Sequence, residues 1–308
     1  MAKVLIATEK PFAAVAVNGI KKIFDEAGFE TVMLEKYTDN AELIKAVADV
    51  DAMIIRSDKA TAEVINAAKN LKIIVRAGAG YDNIDLAAAN EHKIVAMNTP
   101  GQNSNAVAEL ALGMMVFISR ACFQGGPGSE LKGKKLGIHA YGYVGKYVAQ
   151  IAKGFGMELY AFDPFIEKSI IEQDGVKAVD SVEELYSTCQ YISLHIPANE
   201  KTKKSIDFNL MSKMPKGATV VNTARKEVIN EDDLKRMLDE RPDFKYISDI
   251  APDCHADING KYEKRYYATP KKQGAETSEA NINAGLAAAN QIVGFLKNGI
   301  TKFQVNKF

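Results

Sequence analysis

Short apolar runs alternate with longer amphipathic stretches along almost the whole chain. The runs at 3–8, 52–55, 72–76, 94–97, 135–140, 158–162, 191–195, 219–222 and 246–249 read as strands. They are apolar continuously rather than at every second position, as strands covered on both faces must be. Between them, apolar residues recur at helical spacing over 106–120, 143–155 and 231–240. Strand–helix–strand alternation predicts right-handed crossovers and parallel sheets, an α/β fold. A last helical pattern, 278–298, carries Ala, Ile, Leu and Val on one face. It is a candidate for packing back on the first domain, which would then be built from both chain ends. The run Gln124-Gly125-Gly126-Pro127-Gly128-Ser129 cannot continue the apolar helix before it. It reads as a surface loop or as a hinge or interface segment between domains.

Composition narrows the class. A length of 308 residues predicts two domains. The 39 basic and 39 acidic side chains cancel, which argues against a nucleic-acid-binding protein and gives no reason to expect an anionic membrane surface as partner. No apolar run approaches the roughly 20 residues of a membrane span, and with a strand-like run already at Lys3 no signal peptide is expected. Three cysteines without C-x-x-C spacing are not a disulfide framework. They fit a reducing, cytoplasmic setting.

The segment from Leu136 to Gly145 carries the first chemical signal. A strand leads into Ala140-Tyr141-Gly142-Tyr143-Val144-Gly145, and a helical pattern leaves it. This is the context of a dinucleotide-binding turn, in the form A-x-G-x-x-G. Gly142 lets the backbone approach a pyrophosphate, Gly145 permits close helix–strand packing, and the helix start at Tyr143 and Val144 offers free N–H groups. Ala140 stands where the first glycine is usual. Asp163, at the end of the next strand, has the position and charge to accept both ribose hydroxyls and to repel a 2′-phosphate, so NAD is expected rather than NADP.

Further motifs follow in order. Arg76-Ala77-Gly78-Ala79-Gly80-Tyr81-Asp82-Asn83-Ile84-Asp85, Asn98-Thr99-Pro100-Gly101 with Val107-Ala108-Glu109, Ser193-Leu194-His195-Ile196-Pro197 and Val221-Asn222-Thr223-Ala224-Arg225 resemble the D-isomer-specific 2-hydroxyacid dehydrogenases over nearly the whole chain. The resemblance implies two doubly wound parallel-sheet lobes. Residues 1–97 and 283–308 would form a flavodoxin-like substrate domain, and residues 98–282 a Rossmann cofactor domain. It implies NAD contacts at His195, Ile196, Pro197, Thr223, Ala224 and Asp249, and a homodimer built partly from the 106–120 helix. Arg56-Ser57 and the short length resemble, within that family, the compact D-3-phosphoglycerate dehydrogenases without regulatory domains. A phosphorylated 2-hydroxy or 2-oxo acid would then be the substrate, at the first step of serine synthesis, with no effector control through an appended domain.

Oxidising a 2-hydroxy acid needs a cation for the carboxylate, a group to take the hydroxyl proton and an acceptor for the hydride. Arg225 is the first choice for the cation. Backbone N–H groups at Gly78 and Ala79 are further donors, and Arg56 with Ser57 is the candidate phosphate site, opposed by Asp58 if that residue faces it. The proton-transfer group departs from the family's pattern. Where a histidine is usual, the chain reads Thr269-Pro270-Lys271-Lys272-Gln273. Counting from either side selects Lys271 or Lys272. A lysine needs burial or a neighbouring cation to act as a base near neutral pH. The family's supporting glutamate is also missing, with Cys254 nearest its place and His255 a minor rival for the missing histidine. Asp253-Cys254-His255-Ala256-Asp257 reads as a polar loop rather than a metal site, because no second ligand cluster completes it. A hydroxypyruvate, glyoxylate or D-lactate reductase is the enzymatic alternative. A non-catalytic NADH-sensing scaffold is the alternative of another class.

Overall fold

The computed structural model describes residues 1–308. The chain divides into two compact units, Met1–Asn103 with Glu276–Phe308, and Ser104–Ala275. The breaks fall at 103/104 and 275/276, where the sequence motifs pointed to 97/98 and 282/283. Hydrogen bonds account for the difference. The Thr99 N–H donates to the Gly78 carbonyl (2.9 Å), and the Asn98 carbonyl accepts from Gln291 Nε2 (3.0 Å). Thr277 caps the last helix through the Ala280 N–H (3.1 Å), so that helix stays whole within the first unit.

The first unit holds five parallel strands: β1 Lys3–Thr8, β2 Glu30–Glu35, β3 Ala52–Ile55, β4 Ile73–Arg76 and β5 Val95–Asn98. Their order is β2-β1-β3-β4-β5, the flavodoxin-like arrangement. Leu5, Ala7, Met53, Ile55 and Ile74 face one core, while Val4, Ile6, Ala52, Ile54 and Val75 face the other. Successive side chains alternate between two apolar layers, which is why these strands read as unbroken hydrophobic runs. β2 escaped the sequence pattern because it is an edge strand, half-buried and ending in Glu30 and Glu35. The Ser278–Asn298 helix packs Ala284, Ala288 and Ile292 into the same core as Ala16, Ile20 and Phe24. The C-terminal segment then returns to β5, with the Val305 N–H on Ala96 O (2.9 Å) and the Ala96 N–H on Asn306 Oδ1 (2.8 Å). The first unit is thus built from both chain ends.

The second unit holds β6 Lys135–His139, β7 Glu158–Phe162, β8 Lys177–Ala178, β9 Tyr191–Leu194, β10 Thr219–Asn222, β11 Lys245–Ser248 and β12 Tyr266–Ala268. All pairings are parallel, in the order β12-β11-β10-β9-β6-β7-β8. From β6 the chain first runs outward through β7 and β8, then returns to the other side of β6 with β9. That reversal is the switch point of a dinucleotide-binding sheet, and ligands bind at the strands' carboxyl ends there. β8 and β12 are short edge strands, too brief to show a pattern. The 124–129 loop lies wholly inside this unit and is exposed, so it is a surface loop and not the connection between units.

The nucleotide turn is tight. A Cβ on Gly145 would lie 2.4 Å from the Ala140 carbonyl oxygen and 3.0 Å from Ile138 Cγ2. Ala140 itself sits at φ +79°, the left-handed conformation that a glycine holds without strain. Gly145→Ala is therefore expected to destabilise the second unit by about 1–3 kcal/mol. Ala140→Gly is expected to be neutral or stabilising by up to about 1 kcal/mol. Denaturant midpoints of the two variants check this; an Ala140→Gly midpoint below that of Gly145→Ala would contradict it.

Candidate functional site

The carboxyl ends of β6, β7, β9, β10 and β11 in the second unit gather most of the residues picked out in the sequence. The Tyr143–Gly154 helix starts directly after Gly142, so its first amides are free of intrahelical partners. A Cβ on Gly142 would meet nothing within 4 Å, so this glycine faces open space that a phosphate can enter. Asp163, at the end of β7, accepts the Tyr141 N–H (2.8 Å) and the Phe165 N–H (2.9 Å), one on each oxygen. Each oxygen keeps a second lone pair, as a ribose diol requires. Thr223 is buried and its Oγ1 has no partner within the chain, a polar atom that invites a ligand group. These features fit a dinucleotide.

His139 and His195 flank the switch point. The His195 N–H donates to the His139 carbonyl (3.0 Å). The His195 Nε2 meets Ser193 Oγ at 2.9 Å, and the His139 Nδ1 meets the Tyr186 hydroxyl at 3.3 Å. Burial pulls His139 down to about 4. Burial, with His139 alongside, pulls His195 down to about 3. Both imidazoles stay neutral near pH 7, and neither is poised to exchange a proton there. Ile196 is buried and Pro197 exposed beyond them.

A pair of cations meets at the end of β10. Lys272 Nζ donates to the Ala224 carbonyl at 2.8 Å, and Arg225 Nη1 donates to the same oxygen at 2.9 Å. The turn under them is stapled by Asn222. Its Oδ1 accepts the Ala224 N–H (3.0 Å), and its Nδ2 donates to Arg225 O (3.0 Å) and to the Tyr246 hydroxyl (3.2 Å). Burial, and then the Arg225 charge, lower Lys272 to about 8. Lys271 is exposed. The structure therefore brings Lys272, and not Lys271, to Arg225.

Asp249 has a role the sequence did not reveal. Its carboxylate is buried and accepts the Thr269 hydroxyl (3.0 Å), the Gln273 N–H (2.8 Å) and the Gly274 N–H (2.8 Å). It holds the lysine-bearing segment from both ends. The neighbouring 253–257 loop is tied into the fold instead. Lys226 pairs with Asp253, Glu231 accepts the Asp253 and Cys254 amides (2.8 and 2.7 Å), and His255 Nδ1 meets the Tyr266 hydroxyl (2.7 Å).

In the first unit, the end of β3 departs from the sequence expectation. Arg56 Nη1 donates to the Lys10 and Pro11 carbonyls (2.9 and 3.1 Å), Nη2 donates to Asn281 Oδ1 (2.6 Å), and the guanidinium lies 5.1 Å from the Phe12 ring centroid. The fork assigned to a phosphate is largely spent on the protein. Asp58 does not oppose an incoming anion. It is buried and accepts the Glu9 N–H, the Tyr37 hydroxyl and the Arg56 N–H. Ser57 is exposed. The Gly78 N–H, expected to donate to substrate, is taken by the Arg76 carbonyl (2.9 Å). Ala79 is exposed, and no backbone carbonyl takes its N–H.

Arg76 is the residue missed here. Its Nε donates to the Arg56 carbonyl (3.1 Å), and a Cβ on Gly78, at φ +153°, would sit 1.7 Å from Arg76 Nη1. Burial lowers Arg76 from its ordinary value, with Asp82 opposing the shift. The glycine after it was the available signal: only a residue without a side chain leaves room for this guanidinium.

Comparison with known proteins completes the assignment. The family profile described as D-isomer specific 2-hydroxyacid dehydrogenase, catalytic domain, matches residues 11–306. The D-3-phosphoglycerate dehydrogenase of Methanocaldococcus jannaschii is 35% identical over 299 residues, covering 92% of this chain and 57% of that protein. The hydroxypyruvate reductase of Thermotoga maritima is 38% identical over 219 residues, covering 67% of this chain and 70% of that protein. The crystal structure of NAD+-bound 3-phosphoglycerate dehydrogenase from Entamoeba histolytica superposes with a TM-score of 0.85 at 52% identity, covering 100% of this chain and 99% of that one. The chain spans about half the length of most of the curated D-3-phosphoglycerate dehydrogenases it matches. With its profile match, its two parallel sheets and its ordered motifs, the chain belongs to the D-isomer-specific 2-hydroxyacid dehydrogenases.

Proposed function

We propose that this chain is an NAD-dependent D-3-phosphoglycerate dehydrogenase, interconverting 3-phosphoglycerate and 3-phosphohydroxypyruvate in serine synthesis, with Lys272 as its proton-transfer residue. The observation that carries the reading is the convergence of Lys272 and Arg225 on one carbonyl at the carboxyl end of β10. The half-length match to most curated D-3-phosphoglycerate dehydrogenases and the near-complete match to the Entamoeba enzyme support the substrate class. When bound, NAD supplies the hydride acceptor. Gly142, the amides of Tyr143 and Val144, Asp163, Ile196, Pro197 and Thr223 would hold it.

The chain's own groups do the rest. Arg225 pairs with the substrate carboxylate, and its charge survives burial beneath a bound substrate. In oxidation the neutral Lys272 amine takes the hydroxyl proton. In reduction the ammonium returns it to the oxygen and polarises the carbonyl. Asp249 keeps the lysine segment in place. In the first unit, Arg76, the Ser57 hydroxyl and the Ala79 amide are the groups suited to a phosphate, while Arg56 holds the β3 end together.

The protein is further read as a homodimer in a reducing cytoplasm. Three cysteines without disulfides agree with the compartment, and no helix is long and apolar enough to cross a membrane. For the dimer, the Ser104–Ser119 helix leads to an outward aromatic group. Phe117 meets Phe123 and Tyr267 edge-on, and Phe123 is 68% exposed. Phe123→Glu would place a charge in that apolar group. It is expected to give a monomer in sedimentation velocity; an unchanged dimer would place the interface elsewhere.

NADH absorbance with 3-phosphohydroxypyruvate, glyoxylate and pyruvate in parallel tests the function. Turnover greatest on the phosphorylated acid is expected. Preference for an unphosphorylated acid would favour the hydroxypyruvate reductase reading, for which the Thermotoga relative speaks. NADH binding without turnover on any acid would favour the scaffold. Lys272→Ala is expected to lower kcat by about 100- to 10,000-fold, with Lys271→Ala close to wild type.

The pH dependence has a definite sign. Lys272 has its pKa lowered to about 8, so kcat/KM for oxidation should rise through about pH 8 as the amine loses its proton. For reduction it should fall over the same range as the ammonium is lost. The same inflection surviving in Lys272→Ala would assign it to another group.

A further inference from the structure

We propose that Lys272 is also a carbonyl-trapping amine, which condenses with 2-oxo acids held by Arg225 to form a reversible imine. The inference rests on the functional reading above for the class of ligand, and on the local geometry for the chemistry.

The amine is tethered. Lys272 Nζ spends one N–H on the Ala224 carbonyl, and a neutral amine then keeps its lone pair off that bond. Arg225 spends one N–H on the same oxygen, and its side chain is otherwise exposed. The rest of the guanidinium fork is free to take a carboxylate in two parallel hydrogen bonds. In a 2-oxo acid the carbonyl carbon is bonded directly to that carboxylate. A substrate seated on Arg225 thus presents its electrophilic carbon beside Nζ.

The step balances without an oxidant. The Nζ lone pair forms a C–N bond to C2 while the carbonyl π pair moves to oxygen, which takes up a proton. The oxygen then leaves as water, carrying the two hydrogens that the primary amine gives up, and a C=N bond remains. An imidazole cannot complete this sequence, because neither ring nitrogen carries two hydrogens. The reactivity is therefore specific to a chain with lysine at this place.

The magnitude follows from the amine's protonation. At pH 8 a lysine with a pKa of about 8 is about half neutral. An ordinary lysine, with a pKa of about 10.4, is roughly 0.4% neutral. The lower basicity of Lys272 gives back roughly tenfold in intrinsic nucleophilicity, by the trade-off measured for thiols. The net advantage is about tenfold.

The test uses the full chain at pH 8 with glyoxylate and sodium cyanoborohydride, which reduces an imine to a stable secondary amine. Peptide mass spectrometry reads the rate of labelling at each lysine, with turnover measured on the same preparation. Lys272 is expected to label more than tenfold faster than the exposed Lys271, because seating of the carboxylate on Arg225 adds to the advantage of the less basic amine. That preference should fall to about tenfold or below with acetaldehyde, which lacks the carboxylate, and in Arg225→Gln, where burial of the amine remains. Labelling of Lys272 no faster than Lys271, in protein that turns over NADH, would overturn the proposal. So would equal preference with acetaldehyde. Absent turnover with selective labelling would instead sink the dehydrogenase reading and leave the trapping chemistry standing.

Discussion

The chemistry of the second unit depends on one buried carboxylate. Asp249 sits at the end of β11 and accepts three hydrogen bonds from the segment that follows β12. A buried charge without partners would cost several kcal/mol. Three donors on its two oxygens offset that cost and fix where the segment lies. Lys272, between the bonded Thr269 and Gln273, has little freedom left and reaches the Ala224 carbonyl. Asn222 does for the β10 turn what Asp249 does for this segment, bonding the Ala224 amide and the Arg225 carbonyl. The cation pair is the product of these two polar staples. Burial, together with the neighbouring Arg225 charge, lowers the pKa of Lys272 to about 8.

The sheets supply the rigidity on which those staples rest. The inner strands of both sheets are covered on both faces, so their carboxyl ends are set by packed cores rather than by mobile loops. The order reversal between β6 and β9 leaves a crevice that no crossover covers. The glycine turn, Asp163, His195 and Thr223 all stand at strand ends in this unit for that reason. The first unit uses the same logic with different charges. Asp58 turns inward to organise the β1 and β3 ends, Arg56 braces the 10–12 segment against the terminal helix, and Gly78 leaves space for Arg76.

The role proposed for Lys272 separates this chain chemically from a histidine-bearing one. A histidine exchanges protons near neutral pH with its ordinary pKa and needs a carboxylate to fix its tautomer. A lysine needs no tautomer fixed, only a shifted pKa. The absence of a glutamate near Cys254, where the Asp253 and Cys254 amides donate to Glu231 instead, is consistent with that proposed role. The same primary amine brings reactivity toward carbonyl groups that an imidazole lacks.

The amino-acid pattern alone determined the central strands, the long helices, the two-unit architecture and the nucleotide turn, because two-sided burial and a glycine's missing side chain leave direct marks on residue order. Edge strands β2, β8 and β12 left none, being short or half-exposed. The sequence also named Arg225 and offered two adjacent lysines as candidates for proton transfer. Which of them lies beside Arg225 was beyond it. Adjacent residues in a loop have no periodicity to assign them faces, and Lys272 is brought there by Asp249, about twenty residues earlier, bonding the amides that follow it. Arg56 shows the converse. Its position at a strand end was legible, but its donors went to Lys10, Pro11 and Asn281, partners that only folding brings within reach. Residue type and spacing record what a local segment must bury. Which polar group satisfies which is settled by contacts between distant segments, and so by the tertiary structure.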